Sequence, residues 1–106
     1  MRVTVILVPG DAAGLSVMVP SMPGCFSAGR TREQALANVE DAITGWVQVE
    51  AQEGRGPLPE TPDLVLEGVS QALAIIDEMR SAGELTQHQG YDLELATVSV
   101  PQLAAA

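Results

Sequence analysis

Basic and aromatic residues are scarce in this sequence of 106 residues. It has no lysine, five scattered arginines, one histidine and three aromatic residues, against fourteen aspartates and glutamates. The formal net charge is −9. Because proteins that bind nucleic acids present a clustered basic face to the phosphates, we expect no direct binding to nucleic acid.

Long hydrophobic runs are also missing. No stretch approaches the roughly 20 apolar residues that span a bilayer, so we expect no membrane association. The apolar run Val3–Val8 is short, β-branched and followed by Pro9, Gly10 and Asp11, which indicates a strand rather than a signal peptide. The single cysteine, Cys25, has no partner for an internal disulfide, which favours a reducing, cytoplasmic compartment.

The few reactive side chains match no catalytic or metal-binding motif. Cys25 and His88 together supply two ligands, where zinc takes three or four. They are also the one conceivable nucleophile–base pair, but a lone cysteine beside Phe26 on a short strand is typical of a core residue. No glycine-rich phosphate-binding loop is present. We therefore expect no enzymatic activity, no metal and no cofactor, with Cys25 unreactive and buried beneath Phe26.

The hydrophobic pattern predicts four short strands and two helices, which form an α+β fold with a small, mainly antiparallel sheet and a helix packed on one face. The first two strands are joined as a hairpin. In the last strand, a change of phase from Leu95 to Val98 indicates a bulge or burial on both faces. The expected order is β-β-β-α-α-β, with strands at 3–8, 15–19, 25–27 and 92–100 and helices at 32–52 and 63–82.

The first helix has the clearest local signals. Thr31 and Gln34 form a capping box that places the helix start at Arg32. Gly54 falls where a left-handed residue ends a helix. Four apolar residues at helical spacing form a stripe that we expect to lie on the sheet: Leu36, Val39, Ile43 and Val47.

The second helix follows a proline-rich connector at 57–62. Its apolar stripe exceeds what one small core absorbs, and a sheet of this size leaves its edges open. We therefore expect a homodimer or a higher even-numbered oligomer, with this helix or a sheet edge at the interface. The candidate interface residues are Leu66, Val69, Leu73 and Ile76.

One long motif joins the end of the second strand to the start of the first helix. A strand ending in a proline is followed by a Pro-Gly-Cys turn, a glycine and a threonine-capped helix. The motif residues are Pro20, Pro23, Gly24, Cys25, Gly29, Thr31, Ala35, Leu36 and Asn38. In this respect the chain resembles the HicB antitoxin family and its free-standing relatives, and Leu58-Pro59-Glu60 resembles the proline motif that follows the family's helix. We expect residues 1–106 to form a single HicB-like domain, with the helix at 63–82 as an insertion.

The resemblance implies a partial RNase H-like fold that binds and neutralises a small basic mRNA-cleaving toxin of the HicA type. RNase H-type nuclease sites need several carboxylates around a metal ion, and one of these carboxylates lies on the first strand. The predicted first strand, Val3–Val8, contains no carboxylate. We therefore expect no nuclease activity. Fuller antitoxins of the family add a DNA-binding segment, whereas no basic recognition element follows Pro101, so operator binding is not expected. The alternative is a free-standing oligomeric HicB-like domain of unknown ligand, with neither a toxin partner nor DNA binding.

Overall fold

The computed structural model describes residues 2–9, 14–81 and 93–99. The observed element order confirms the predicted α+β fold class, and the bounds are Arg2–Pro9 (β1), Leu15–Met18 (β2), Phe26–Gly29 (β3), Arg32–Gln52 (α1), Pro62–Ser81 (α2) and Glu94–Ser99 (β4). Within this part of the chain, neither helix combines the length and apolar content that crossing a membrane requires. His88 and Pro101 lie outside the described residues.

The strands form one antiparallel sheet in the order β3-β2-β1-β4. β1 lies inside the sheet because its side chains are apolar on both faces. Alternation along the strand directs Val3, Val5 and Leu7 to one face. The intervening residues Ile6 and Val8 reach the opposite face. Each face of the sheet therefore has a core of its own.

α1 covers the first face of the sheet. The predicted stripe is confirmed, since Val39 and Ile43 are fully buried and Leu36 and Val47 pack partly buried against the same core. Ala35 is fully buried as well. The small side chain of Ala35 allows the start of the helix to approach β3 closely.

Both predicted ends of α1 are confirmed. Thr31 Oγ1 accepts a hydrogen bond from Gln34 N at 3.1 Å. In return, Gln34 Oε1 accepts from Arg30 N at 2.7 Å, one residue before the cap. Gly54, directly after the C-cap residue Glu53, has a φ of 73°. That left-handed conformation is the one that glycine adopts without steric cost.

α2 lies on the opposite face, over β1. Ala72 and Ile76 are fully buried there and pack with Ile6 and Val8. The helix approaches closely at Gly68, where a Cβ would lie only 3.0 Å from the Ile6 Cδ1 atom. The sheet therefore carries one helix on each face. That α2 is an insertion into a single domain stays a prediction.

Of the two alternatives predicted for the last strand, the bulge is wrong for the described residues of β4, and only Val98 of the strand is buried. All six of their pairs with β1 are consecutive, so the ladder contains no extra residue. The change of phase reflects two different faces of one strand. Ala96 and Val98 pack toward α1, whereas the side chain of Leu95 is 51% exposed.

Candidate protein-binding surface

The loop between β2 and β3 carries the first part of the sequence motif. Residues Pro20 to Cys25 form tight turns, in which Met22 N donates to Val19 O at 3.1 Å and Cys25 N donates to Met22 O at 3.0 Å. Met22 and Cys25 are both buried. Gly24 has a φ of 83°, a backbone conformation that favours glycine. These motif residues therefore shape a turn that directs two sulfur-containing side chains into the core.

Cys25 is buried as predicted, but Phe26 does not cover it. Because successive side chains of a strand point to opposite faces, Phe26 points away from Cys25 and is 64% exposed. Cys25 instead packs in the core between the sheet and α1, together with Met22 and Val39. Burial raises the pKa of the Cys25 thiol, which lowers the thiolate population that a nucleophile needs.

α1 holds β3 through the second part of the motif. Asn38 Nδ2 donates to Ala28 O at 2.7 Å. At Gly29 the strand comes so close to the helix that a Cβ would lie 2.4 Å from Ala35 N. Only glycine fits at that distance, because the obstructing atoms belong to the helix backbone. The roles of Asn38, Gly29 and Ala35 are therefore to fix the helix against the strand.

Two further hydrogen bonds attach neighbouring segments to this loop. Trp46 Nε1 donates to Pro23 O at 3.0 Å, which ties the middle of α1 to the motif. Leu58 N donates to Ser21 O at 2.7 Å, which ties the connector between the helices to the same loop. The sequence contains no local signal for either contact, since each joins segments far apart along the chain.

The connector also completes the hydrogen bonding of β1 where β2 ends. The β1–β2 register reaches only as far as the pair of Ile6 with Met18. Beyond it, the Glu60 carboxylate accepts from Thr4 N at 2.8 Å and from Thr4 Oγ1 at 2.9 Å. The Glu60 side chain therefore takes the place of the missing strand at Thr4. Leu58 and Glu60 thus hold the connector against the motif loop and against β1.

No metal-binding cluster is found among residues 2–9, 14–81 and 93–99: no three His, Cys, Asp or Glu side chains there lie close enough to hold an ion. The predicted pair of Cys25 with His88 falls partly outside the described residues.

An apolar groove, here called the α2–β3 groove, runs between α2 and the β2–β3 pair. One part, of about 230 Å³, lies among Met18, Phe26, Ile75 and Met79. A second part, of about 340 Å³, extends over the loop at 20–24 and shares Met18 and Phe26 with the first. The rim is apolar and accessible, since Phe26 is 64% and Ile75 43% exposed. Exposed apolar patches of this kind are typical of protein-binding sites.

Three exposed leucines, here called the leucine strip, lie on the α2 side of the sheet outside the groove. Leu66 and Leu73 are on α2 and Leu95 is on β4, where it pairs with Ile6 of the α2 core, and they are 62%, 40% and 51% exposed. At 100° per residue, Leu73 lies roughly opposite Gln71 and Ile75 around the helix axis. Since Gln71 and Ile75 line the groove on the β3 side, the two leucines of α2 face the β4 side.

The four predicted interface residues do not share one exposed surface. Ile76 is fully buried within the chain, and Val69 packs partly buried beside it. Only Leu66 and Leu73 remain accessible to another molecule. Leu95, which is exposed on the same side of the sheet as α2, was not among the predicted interface residues, although its strand alternation relative to Val98 was a usable signal.

Carboxylates dominate the solvent side of α2. Its exposed acidic residues are Asp63, Glu67, Asp77 and Glu78, and Glu67 also lines the α2–β3 groove. Elsewhere, acidic partners neutralise two of the arginines: Arg32 pairs with Glu94, and Arg55 with Glu50. The groove is therefore an apolar floor beside an acidic helix.

Parts of this sequence match a known protein family and a known protein. A family model described as "HicB_like antitoxin of bacterial toxin-antitoxin system" matches residues 3–72. The UPF0150 protein Ta0767 of Thermoplasma acidophilum is 38% identical over 48 residues, which make up 45% of this chain and 70% of that protein.

Two solved structures share the fold. One is a chain of the HicA3 and HicB3 toxin-antitoxin complex, with a TM-score of 0.56 and 23% identity. The other is the N-terminal domain of the Burkholderia pseudomallei antitoxin HicB, with a TM-score of 0.56 and 21% identity. Each similarity covers 96% of this chain and 100% of the other. With the family match over residues 3–72, which contains the whole motif, the chain belongs to the HicB-like antitoxin family of bacterial toxin-antitoxin systems.

Proposed function

We propose that this protein is an antitoxin-type binding protein that neutralises a small basic RNA-cleaving toxin of the HicA type. The observation that carries the proposal is its membership of the HicB-like antitoxin family over residues 3–72. The fold relative HicB3 occurs in a toxin-antitoxin complex with HicA3. Neutralisation requires no chemistry from this chain, because covering the toxin's RNA-binding surface is sufficient.

The α2–β3 groove supports a binding role of this kind. A toxin that cleaves RNA must present a basic surface to the phosphates. The net charge of −9 on this chain attracts such a surface and raises the association rate. The apolar rim at Phe26 and Ile75 supplies contact area that leaves water on binding, which is where most of the affinity of an interface arises.

The test is a search of the neighbouring genes for one that encodes a small basic protein, followed by co-expression and purification of that protein with this chain. The partner alone should cleave RNA, and cleavage should stop at a one-to-one ratio with this protein. The association rate should fall as salt rises, because the screening length shortens from about 10 Å at 0.1 M to about 3 Å at 1 M.

A matched pair of variants locates the contact. Phe26→Asp and Val49→Asp both add one negative charge at an exposed apolar residue, on the groove and on α1 respectively, where exposure is 64% and 58%. Only Phe26→Asp should weaken binding, by about 10-fold or more. If the two variants behave alike, the groove is not the contact. If a purified neighbouring protein still cleaves RNA at excess of this chain, the free-standing oligomeric domain is the better description.

A further inference from the structure

Among residues 2–9, 14–81 and 93–99, no strand pairs with the outer edge of β4. Thr4 N donates to the Glu60 carboxylate, on the side of β1 away from β4, so Thr4 and its partner Thr97 form a pair without mutual hydrogen bonds. In an antiparallel ladder such pairs alternate with hydrogen-bonded ones. The N–H and C=O groups of Leu95, Thr97 and Ser99 therefore point outward, and β4 is at the edge of the described sheet.

β4 lacks the features by which edge strands avoid pairing. Its sequence, ELATVS, contains no proline and no lysine, and its ladder with β1 contains no bulge. Its single charge, Glu94, is neutralised by Arg32, which lies within 2.5 Å. Charges, prolines and bulges are the usual protection of an edge.

The opposite edge of the sheet is different. β3 has only four residues, and the amide of Asn38 already occupies the outward carbonyl of Ala28. A short edge with a side chain bonded to it is a poor template for another strand. Of the two edges of the described sheet, β4 is therefore the one that fits an additional strand.

We propose that a second copy of this chain pairs antiparallel along β4, around a twofold axis perpendicular to the sheet at Thr97. The four strands of each copy then continue into one sheet of eight. Directly opposite residues of antiparallel strands point to the same face, so both α2 helices lie on one face. This inference does not depend on the identity of a toxin partner, because it uses the flank of α2 remote from the α2–β3 groove.

The spacing of such a dimer accounts for the leucine strip. α2 lies over β1, and three strand spacings of about 4.8 Å separate β1 from its copy, roughly 14 Å in total. A helix with its side chains has a radius of about 5–6 Å, so a gap of only a few Å remains between the two helices. Leu66, Leu73 and Leu95 of both copies line that gap, and pairing removes them from water.

The dimer contact and toxin binding should depend on salt concentration in opposite ways. Two copies that each carry a net charge of −9 repel one another, and salt screens that repulsion. Dimerisation should therefore strengthen as salt rises from 0.1 M to 1 M, whereas encounter with a basic toxin should slow down over the same range.

Sedimentation and light scattering over a concentration series test the dimer. Leu95→Lys adds a charge at an exposed edge residue, and Thr97→Pro removes an outward N–H that β1 does not use. Each variant should raise the dimer dissociation constant at least 10-fold, whereas Val49→Lys, the same kind of change on α1, should leave it unaltered. Circular dichroism checks that the variants are folded, and Leu95→Lys decides the result if Thr97→Pro is not.

A cross-link tests the register directly. Hydrogen-bonded antiparallel partners have Cα atoms about 5.5 Å apart, which is within the range of a disulfide. Thr97→Cys should therefore give a covalent dimer on mild oxidation, and Val49→Cys should not. A wild-type chain that stays monomeric at 100 μM in 1 M salt overturns the proposal. So does an oligomer that persists in Leu95→Lys and fails to cross-link at position 97.

Discussion

Replacing Gly29 by alanine tests the close approach of β3 to α1, on which the motif depends. The added Cβ would lie 2.4 Å from Ala35 N and 2.8 Å from Ala35 Cα, so strand and helix must separate by about 1 Å to restore ordinary contact. Forced separation in a packed core costs about 1–3 kcal/mol. Separation also lengthens the hydrogen bond from Asn38 to Ala28 O. We therefore expect Gly29→Ala to lower the free energy of unfolding by about 2–3 kcal/mol.

Gly45→Ala is the matched control, because nothing lies within 4 Å of a Cβ built at Gly45 in the interior of α1. That variant should gain roughly 0.5–1 kcal/mol from helix propensity. Urea unfolding at a fixed protein concentration, followed through the single tryptophan, Trp46, measures both variants. For a domain of about 100 residues, the loss at Gly29 corresponds to a fall in Tm of roughly 10–20 °C. A Gly29→Ala variant within about 0.5 kcal/mol of wild type would refute the close-approach argument.

Three further predictions concern other contacts. Native Cys25 should react with a thiol reagent at least 100-fold more slowly than in the urea-unfolded chain, because burial excludes the reagent and raises the pKa of the thiol; similar rates would contradict this. Glu60→Ala should lower the free energy of unfolding by about 1 kcal/mol because Thr4 N loses its acceptor, and Glu60→Gln, which keeps an acceptor oxygen, should lose less. The hydrogen bond from Arg32 holds the pKa of Glu94 below its ordinary value. The ion pair therefore contributes fully to the free energy of unfolding at pH values above the ordinary pKa, and this contribution is lost as the pH falls through the lowered pKa. In Glu94→Gln, the free energy of unfolding measured against pH should lack this acid-dependent loss. A pH dependence equal to that of the wild type would contradict the prediction.

The sequence predicted much of the fold because many of its signals are local. The capping box at Thr31 and the left-handed Gly54 placed both ends of α1 correctly, since each acts within a few residues of itself. The stripe that includes Val39 and Ile43 was equally reliable, because a helix of 21 residues repeats its period many times. Strand ends were less accurate: the predicted strand at 25–27 is observed at Phe26–Gly29.

The candidate surface was predicted only in part, because it depends on which face each side chain occupies. Phe26 was expected to cover Cys25 and instead lies on the groove rim. Ile76 was expected at an interface and instead lies in the core beneath α2. In a strand, a difference of one residue moves a side chain to the opposite face. Short strands of four residues offer few alternations from which to set that phase.

The sequence by itself determined the family, the element order and the motif that shapes the β2–β3 turn. These follow from residue types at short spacings, which act through local backbone geometry. Only the tertiary structure decided that Glu60 completes β1 at Thr4, 56 residues away, and that α2 leaves one apolar groove and one leucine strip on its two flanks. The physical reason is that such contacts depend on how distant segments pack in three dimensions, and no local periodicity encodes that arrangement.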